Sequence, residues 1–189
     1  MSTIIINNRP VSSESFAPPP GCGILYEVIR VTDGTFLFLD DHIDRLKQSA
    51  QLAGVNLTFS AADFKNQLEQ LLVRNAVLTG NIRIEYYFQL KEVKYQSAYF
   101  VPHHYPSDDD YRNGVKTCLF VAERTNPNAK IMQPELREQV NHVIAEKKLY
   151  EVILVHPDGY ITEGSRSTIF MVKYGTVYTA PIEIGRAHV

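Results

Sequence analysis

The order of elements along the chain predicts an α+β protein in two domains, residues 1–110 and 111–189. Three observations carry that expectation. Strand-like and helix-like patterns come in blocks (strands, two helices, strands, then strand, helix, strands), which makes an α+β domain followed by a second mixed one. A charge run, Asp108-Asp109-Asp110 within Ser107–Gly114, precedes a fresh apolar strand and fits a linker. Finally, 44% hydrophobic content with 11 Tyr and 9 Phe in 189 residues is enough for a packed core and excludes a disordered chain.

Element by element, Thr3–Ile6 is a β-branched run closed by Asn7-Asn8 and reads as an edge strand and turn. Residues 12–23, with Pro18-Pro19-Pro20, read as a semi-rigid loop. Ile24–Val31 and Phe36–Leu39 flank Asp33-Gly34, a strong hairpin signal because glycine takes positive φ cheaply. Asp40 and Asp41 are placed to cap a helix whose apolar face is Ile43, Leu46, Ala50 and Ala53, ended by Gly54. Ser60 starts a second helix with Phe64, Leu68, Leu71, Leu72 and Val73 inward. Alternation at Ile82, Ile84, Tyr86 and Phe88 predicts a half-buried strand, and Ala98–Val101 another. Beyond the charge run come a strand at Val115–Val121, a helix at Pro134–Lys148, and strands at Val152–Val155, Tyr160–Thr162 and Thr168–Lys173.

Composition excludes several function classes. Lys+Arg 19 against Asp+Glu 21, a net charge of −2, gives no basic excess, so no nucleic-acid partner is expected. Cys22 and Cys118 are too few for a disulfide framework and read as two reduced thiols. No apolar run approaches the ~18 residues of a membrane span, so no membrane partner is expected. The opening MSTIIINNRPVSS has too short an apolar stretch for a signal peptide, which makes the cytoplasm the expected compartment. No metal ligands are expected.

Three constellations could carry chemistry. Arg45, in DDHIDRL, sits beside the buried stripe of its helix; it is either a solvated flank residue or an anion-binding fork. Lys130, in ERTNPNAKI, lies among small and apolar residues where a strand runs out into a helix; it is either an exposed loop lysine or a desolvated nucleophile. Glu163, in GYITEGSRSTIF, stands at a strand end beside a flexible turn, and alone reads as a surface charge.

Together these segments resemble the class IV aminotransferases, pyridoxal-phosphate enzymes of fold type IV. That group includes branched-chain aminotransferase, D-amino acid aminotransferase and 4-amino-4-deoxychorismate lyase. The likeness runs from Ile24 to Pro181 through YEVIRVTDGTFLFLDDHIDRLKQSA, AYFVPHHYP, NGVKTCLFVAERTNPNAK, EVILVHPDGYITEGSRSTIF and VYTAP, in the family's order. The 33-residue spacing from Lys130 to Glu163 is also the family's. The resemblance implies that Lys130 forms the Schiff base with pyridoxal 5′-phosphate and then shuttles the proton. Glu163 would keep the pyridine nitrogen protonated, Arg45 would hold the phosphate, and Tyr26 would line the substrate pocket. It further implies amino transfer from an L-amino acid, branched-chain among them, to a 2-oxo acid, in a homodimer. The alternatives are a lyase of the 4-amino-4-deoxychorismate type or an inactive fragment.

Departures from the family pattern bear on specificity. Gln133 stands where most relatives have Asn, Glu135 where branched-chain enzymes have Tyr, and Thr168 where Asn is usual. The segment EVKYQSAYF has no Arg of the kind D-amino acid enzymes use for the substrate carboxylate; His103 and His104 are either contacts at the active-site edge or, as the preferred reading, an exposed loop pair. Family members continue about 100 residues further, consistent with a full two-domain size. The second, barrel-like α/β domain is therefore expected to be incomplete. The closing IGRAHV, Ile184–Val189, matches the translation of a sequencing adapter, so truncation by adapter read-through is the expectation, with a natural short variant as the alternative.

Overall fold

A computed structural model describes residues 2–17, 20–124 and 128–181 and divides the chain into two units. The first runs to His104 and takes in Ala129–Met132; the second holds Tyr105–Asn128 and the residues from Gln133 onward. Pro18, Pro19 and the closing Ile184–Val189 lie outside the described residues.

The first unit is an antiparallel sheet with two helices on one face. Its strands are β1 Thr3–Ile6, β2 Arg9–Ser12, β3 Gly23–Thr32, β4 Thr35–Phe36, β5 Gly80–Gln89 and β6 Glu92–Val101, in the spatial order β2-β1-β6-β5-β3-β4. Helices α1, Leu39–Ala53, and α2, Ala61–Asn75, bring Ile43, Leu46, Ala50, Phe64, Leu68 and Leu71 onto Leu25, Ile29, Ile82, Ile84 and Ala98. Burial of this apolar surface is the main stabilising contribution, roughly 1.5–3 kcal/mol for each large side chain. The Asp33-Gly34 hairpin forms as expected, with φ of 49° and 77° and Val31 opposite Phe36. Gly54 closes α1 in the left-handed conformation, φ 65°, and Ser60 caps α2 through the Asp63 amide.

Several expectations are corrected. Thr3–Ile6 is not the sheet edge: Asn7 and Asn8 both adopt positive φ, 45° and 65°, and fold β2 back outside it. Asn tolerates that conformation, and Pro10 suits the edge strand because it has no N–H to pair. The strand expected to Leu39 stops at Phe36, since Leu39 already belongs to α1. Asp40 and Asp41 do not cap that helix; Phe38 occupies the cap position with φ 53° and makes no side-chain bond. The two aspartates instead lie in the first turn, where they favour the helix dipole. Val73 is 80% exposed, and Gln67 takes an inward position. Val73 falls roughly 180° around the helix from Phe64 at ~100° per residue.

The second unit contains α3 Asp108–Asn113, β7 Thr117–Val121, α4 Pro134–Lys147, β8 Glu151–Val155, β9 Ile161–Gly164, and a hairpin of β10 Phe170–Lys173 and β11 Thr176–Thr179. The expected linker is thus a short helix, because Ser107 and Asp110 form a reciprocal capping box. Strand β7 runs parallel to β8 and β8 antiparallel to β9. Helix α4 supplies the crossover and buries Val140 with Leu149, Val152 and Leu154. The second strand of the closing hairpin has no counterpart among the expected elements.

Candidate active site

Lys130 is placed by backbone pairing along an edge of β3. Tyr26 N–H donates to the Lys130 carbonyl at 3.2 Å, Met132 N–H to Ile24 at 2.9 Å, and Leu25 bridges Ile131. The Lys130 N–H donates to Ser49 Oγ at 2.9 Å, and Ser49 itself is fully buried on α1. Three hydrogen bonds, two of which make up the Leu25–Ile131 bridge, therefore fix the backbone from which the amine projects.

The amine is not an exposed loop group. Its side chain is 12% exposed, and Nζ lies 3.2 Å from Glu27 Oε2. Glu27 is a gathering point, buried completely on the helix-covered face of β3 with Leu25 and Ile29. Arg45 donates to it through Nε at 2.7 Å and Nη2 at 2.5 Å, a bidentate fork. His42 Nδ1 lies 2.8 Å from Glu27 Oε2. His42, Arg45 and Ser49 are spaced i, i+3 and i+7 along α1, so one stripe of the helix faces both Glu27 and the Lys130 backbone.

Burial on its own would raise the Glu27 pKa. The Arg45 and His42 bonds and the Lys130 ammonium overcome it and hold the carboxyl at about 2. Glu27 is accordingly a fixed anion that only accepts hydrogen bonds.

Tyr26 borders the same amine. Lys130 Nζ is 5.4 Å from its ring centroid and the Arg83 guanidinium carbon 4.3 Å, both within cation–π range. Across the strand from Tyr26, Glu85 is buried and binds Arg83 Nε at 2.6 Å and the Tyr87 hydroxyl at 2.5 Å. Burial together with the nearby Glu85 carboxylate pushes Tyr99 up to about 12 and raises Tyr87 as well. This sheet face is therefore more polar and more buried than simple alternation implies. His103 and His104 are exposed beyond β6, as expected.

Glu163 belongs to the second unit and is 3% exposed there. It lies within β9, opposite Leu154, and accepts from Arg124 Nη1 at 2.9 Å. The surface-charge reading is therefore corrected. The turn that follows it is also more constrained than a flexible one, with Gly164 N–H donating to the Ser167 carbonyl at 2.8 Å.

Of the expected site residues, the structure brings Lys130, Arg45 and Tyr26 together in the first unit and places Glu163 in the second. Glu27, His42, Ser49 and Arg124 were not singled out from sequence. Glu27 left a signal, a charge at an inward position of an otherwise apolar strand.

The family model of amino-transferase class IV matches residues 24–187. The chain belongs to the class IV aminotransferases. Among curated class IV relatives, a D-alanine aminotransferase of Bacillus licheniformis is 30% identical over 84% of this chain and 59% of its own length. A branched-chain-amino-acid aminotransferase of Pseudomonas aeruginosa is 25% identical over 86% of this chain and 59% of its own. The chain thus spans about three-fifths of the length of these relatives. The fold is that of solved class IV structures. Escherichia coli branched-chain amino acid aminotransferase superposes with TM-score 0.82 at 18% identity, covering 98% of this chain and 69% of that one. The branched-chain aminotransferase of the thermophilic archaeon Thermoproteus uzoniensis, solved with norvaline, gives 0.78 at 19% identity, covering 98% and 70%.

Proposed function

We propose that the chain carries the lysine half of a pyridoxal-phosphate aminotransferase site, with Lys130 as the catalytic amine. The observation that supports this most is the meeting of Lys130 and Arg45 on Glu27, which sets a shielded primary amine beside a guanidinium fork. That donor set suits an aldehyde bearing a phosphate. Bound pyridoxal phosphate supplies the electron sink for charge developing at the substrate Cα. Lys130 Nζ would anchor the cofactor and carry the proton to and from that carbon. Arg45, whose five donors exceed those Glu27 takes, holds the phosphate. Glu163, which accepts from Arg124, would face the ring nitrogen, and Tyr26 would line the substrate pocket.

The reaction proposed is amino transfer from an L-amino acid, branched-chain donors included, to a 2-oxo acid, by a cytoplasmic homodimer. The absence of Arg in the β6 segment Glu92–Val101 favours the L-donor. A second reading, a D-alanine donor, is favoured by the Bacillus licheniformis relative. The test incubates the purified chain and its Lys130→Ala variant with pyridoxal phosphate, 2-oxoglutarate, and one of L-leucine, D-alanine or aminodeoxychorismate. Glutamate formed from L-leucine by the parent chain alone supports the first reading, and from D-alanine alone the second. Pyruvate released from aminodeoxychorismate without glutamate formation points to a lyase, and no turnover of any of these refutes activity in a chain of this length.

A further inference from the structure

We propose that Glu151 is a positioning residue for Glu163, acting by closing the turn that follows it; this rests on the role given to Glu163 above. Glu151 opens β8, is 8% exposed, and its carboxylate is filled by four donors. Val152 N–H and the Ser165 hydroxyl reach Oε1 at 2.8 and 2.6 Å. Arg166 N–H and the Ser167 hydroxyl reach Oε2 at 3.1 and 2.9 Å. A carboxylate offers about four acceptor sites, so Glu151 is saturated by the donors of one turn and its own strand. The opposite side of the turn is held by α4, with Arg137 Nη2 on the Ser165 carbonyl at 2.7 Å and Arg166 Nη2 on Asn141 at 2.6 Å.

The packing leaves no freedom at the residue joining the turn to Glu163. A Cβ on Gly164 would stand 2.1 Å from Ser167 Oγ and 3.2 Å from both Glu151 Oε2 and the Ser167 carbonyl. Gly164 thus lets the chain wrap against the carboxylate, and Ser165 N–H then rejoins the β8 ladder at Val152. Glu163, one residue upstream, inherits its direction from this closure. The Arg124 bond holds the head of its side chain, and Glu151 holds the turn that its backbone runs into. An apolar side chain in its place would leave the Ser165, Arg166 and Ser167 donors without this acceptor.

The test compares the full chain with Glu151→Gln, Ser167→Ala and Glu163→Gln by amide-resolved hydrogen exchange, by pyridoxal phosphate binding, and by the pH dependence of the bound cofactor's absorbance. A glutamine cannot accept on both sides, so Glu151→Gln should speed exchange at Gly164 and Arg166 by about tenfold or more, the loss expected for one bond to a charged acceptor. Leu119 and Phe120, in the β7–β8 ladder, should keep their rates. Cofactor affinity should fall by about tenfold on the same grounds, and the absorbance titration should move in the direction that Glu163→Gln moves it. Ser167→Ala should give smaller changes of the same sign, and it carries the test if Glu151→Gln does not fold. Turn amides that exchange as in the parent, or faster turn exchange with affinity and titration unchanged, overturn the proposal. A Glu163→Gln chain whose absorbance titrates like the parent overturns instead the role given to Glu163. A parent chain that takes up no pyridoxal phosphate overturns both.

Discussion

Lys130 Nζ and Glu27 Oε2 are 3.2 Å apart, although 103 residues separate them in the chain. The pairing joins a strand-edge segment to the buried face of β3 and brings a guanidinium and an imidazole from α1 to the same carboxylate. One buried anion thus orients both Lys130 and Arg45. Removing it leaves cations in a shielded environment without their partner, a costly state.

That arrangement makes acid stability informative. The Glu27 carboxyl is held at about 2 against an ordinary 4.5, so its folded pKa is depressed. Its stabilising contribution is present above about pH 4.5 and is lost as pH falls towards 2. The shift corresponds to on the order of 3 kcal/mol. In urea titrations between pH 7 and 2.5, the parent should lose stability through this window. Glu27→Gln should start less stable at pH 7 and lack that component of the slope. Parallel pH profiles would contradict the assignment.

Arg45 should resist conservative replacement. Lysine keeps the charge but not the planar fork that holds two bonds to Glu27. Arg45→Lys is expected to weaken pyridoxal phosphate binding by about tenfold, and pyridoxal without phosphate much less, a difference attributable to lost charge-assisted bonds. Equilibrium dialysis with both compounds measures it. Equal losses for the two would remove the phosphate role.

Much of this was legible in the sequence, and the failures have physical causes. The Asp33-Gly34 hairpin, the Gly54 cap and the inward faces of α1 and most of α2 follow from local periodicity and turn chemistry, and the structure has them. Val73 went wrong because apolar character was read without its angular position on the helix. Thr3–Ile6 became internal because the positive φ of Asn7 and Asn8 creates a further strand, which a short segment containing Pro10 does not announce. In the site, residue types marked Lys130 and Arg45. Their meeting was not legible, since it depends on Glu27 and on edge pairing between Ile24–Tyr26 and Lys130–Met132, tertiary features with no local pattern.

The helix faces can be checked by a contrasting pair. Phe64 is fully buried and Val73 80% exposed on the same helix. Phe64→Ala should cost about 3–5 kcal/mol through lost burial and a cavity. Val73→Glu should change stability by less than about 0.5 kcal/mol, as exposed sites do. Denaturant midpoints measure both, and a large effect at Val73 would contradict the orientation of α2.

Gly164 gives a separate test in the second unit. An added methyl there meets Ser167 Oγ at 2.1 Å, so Gly164→Ala must expel that hydroxyl from Glu151. The expected loss is about 1–3 kcal/mol from overpacking. Thermal melting of Gly164→Ala beside Gly159→Asn is the comparison, because Gly159 has φ 94° with open space around it and strains the backbone without a clash. An unchanged melting curve for Gly164→Ala would remove the packed turn.

The central claim is that Lys130 is the amine that takes the cofactor. Its most direct test treats the purified chain with pyridoxal phosphate, reduces it with borohydride, and locates the fixed pyridoxyl group by peptide mass. Lys130 should carry it, and Arg45→Ala should lower its yield. A label confined to other lysines, or none on a folded chain, would contradict the account.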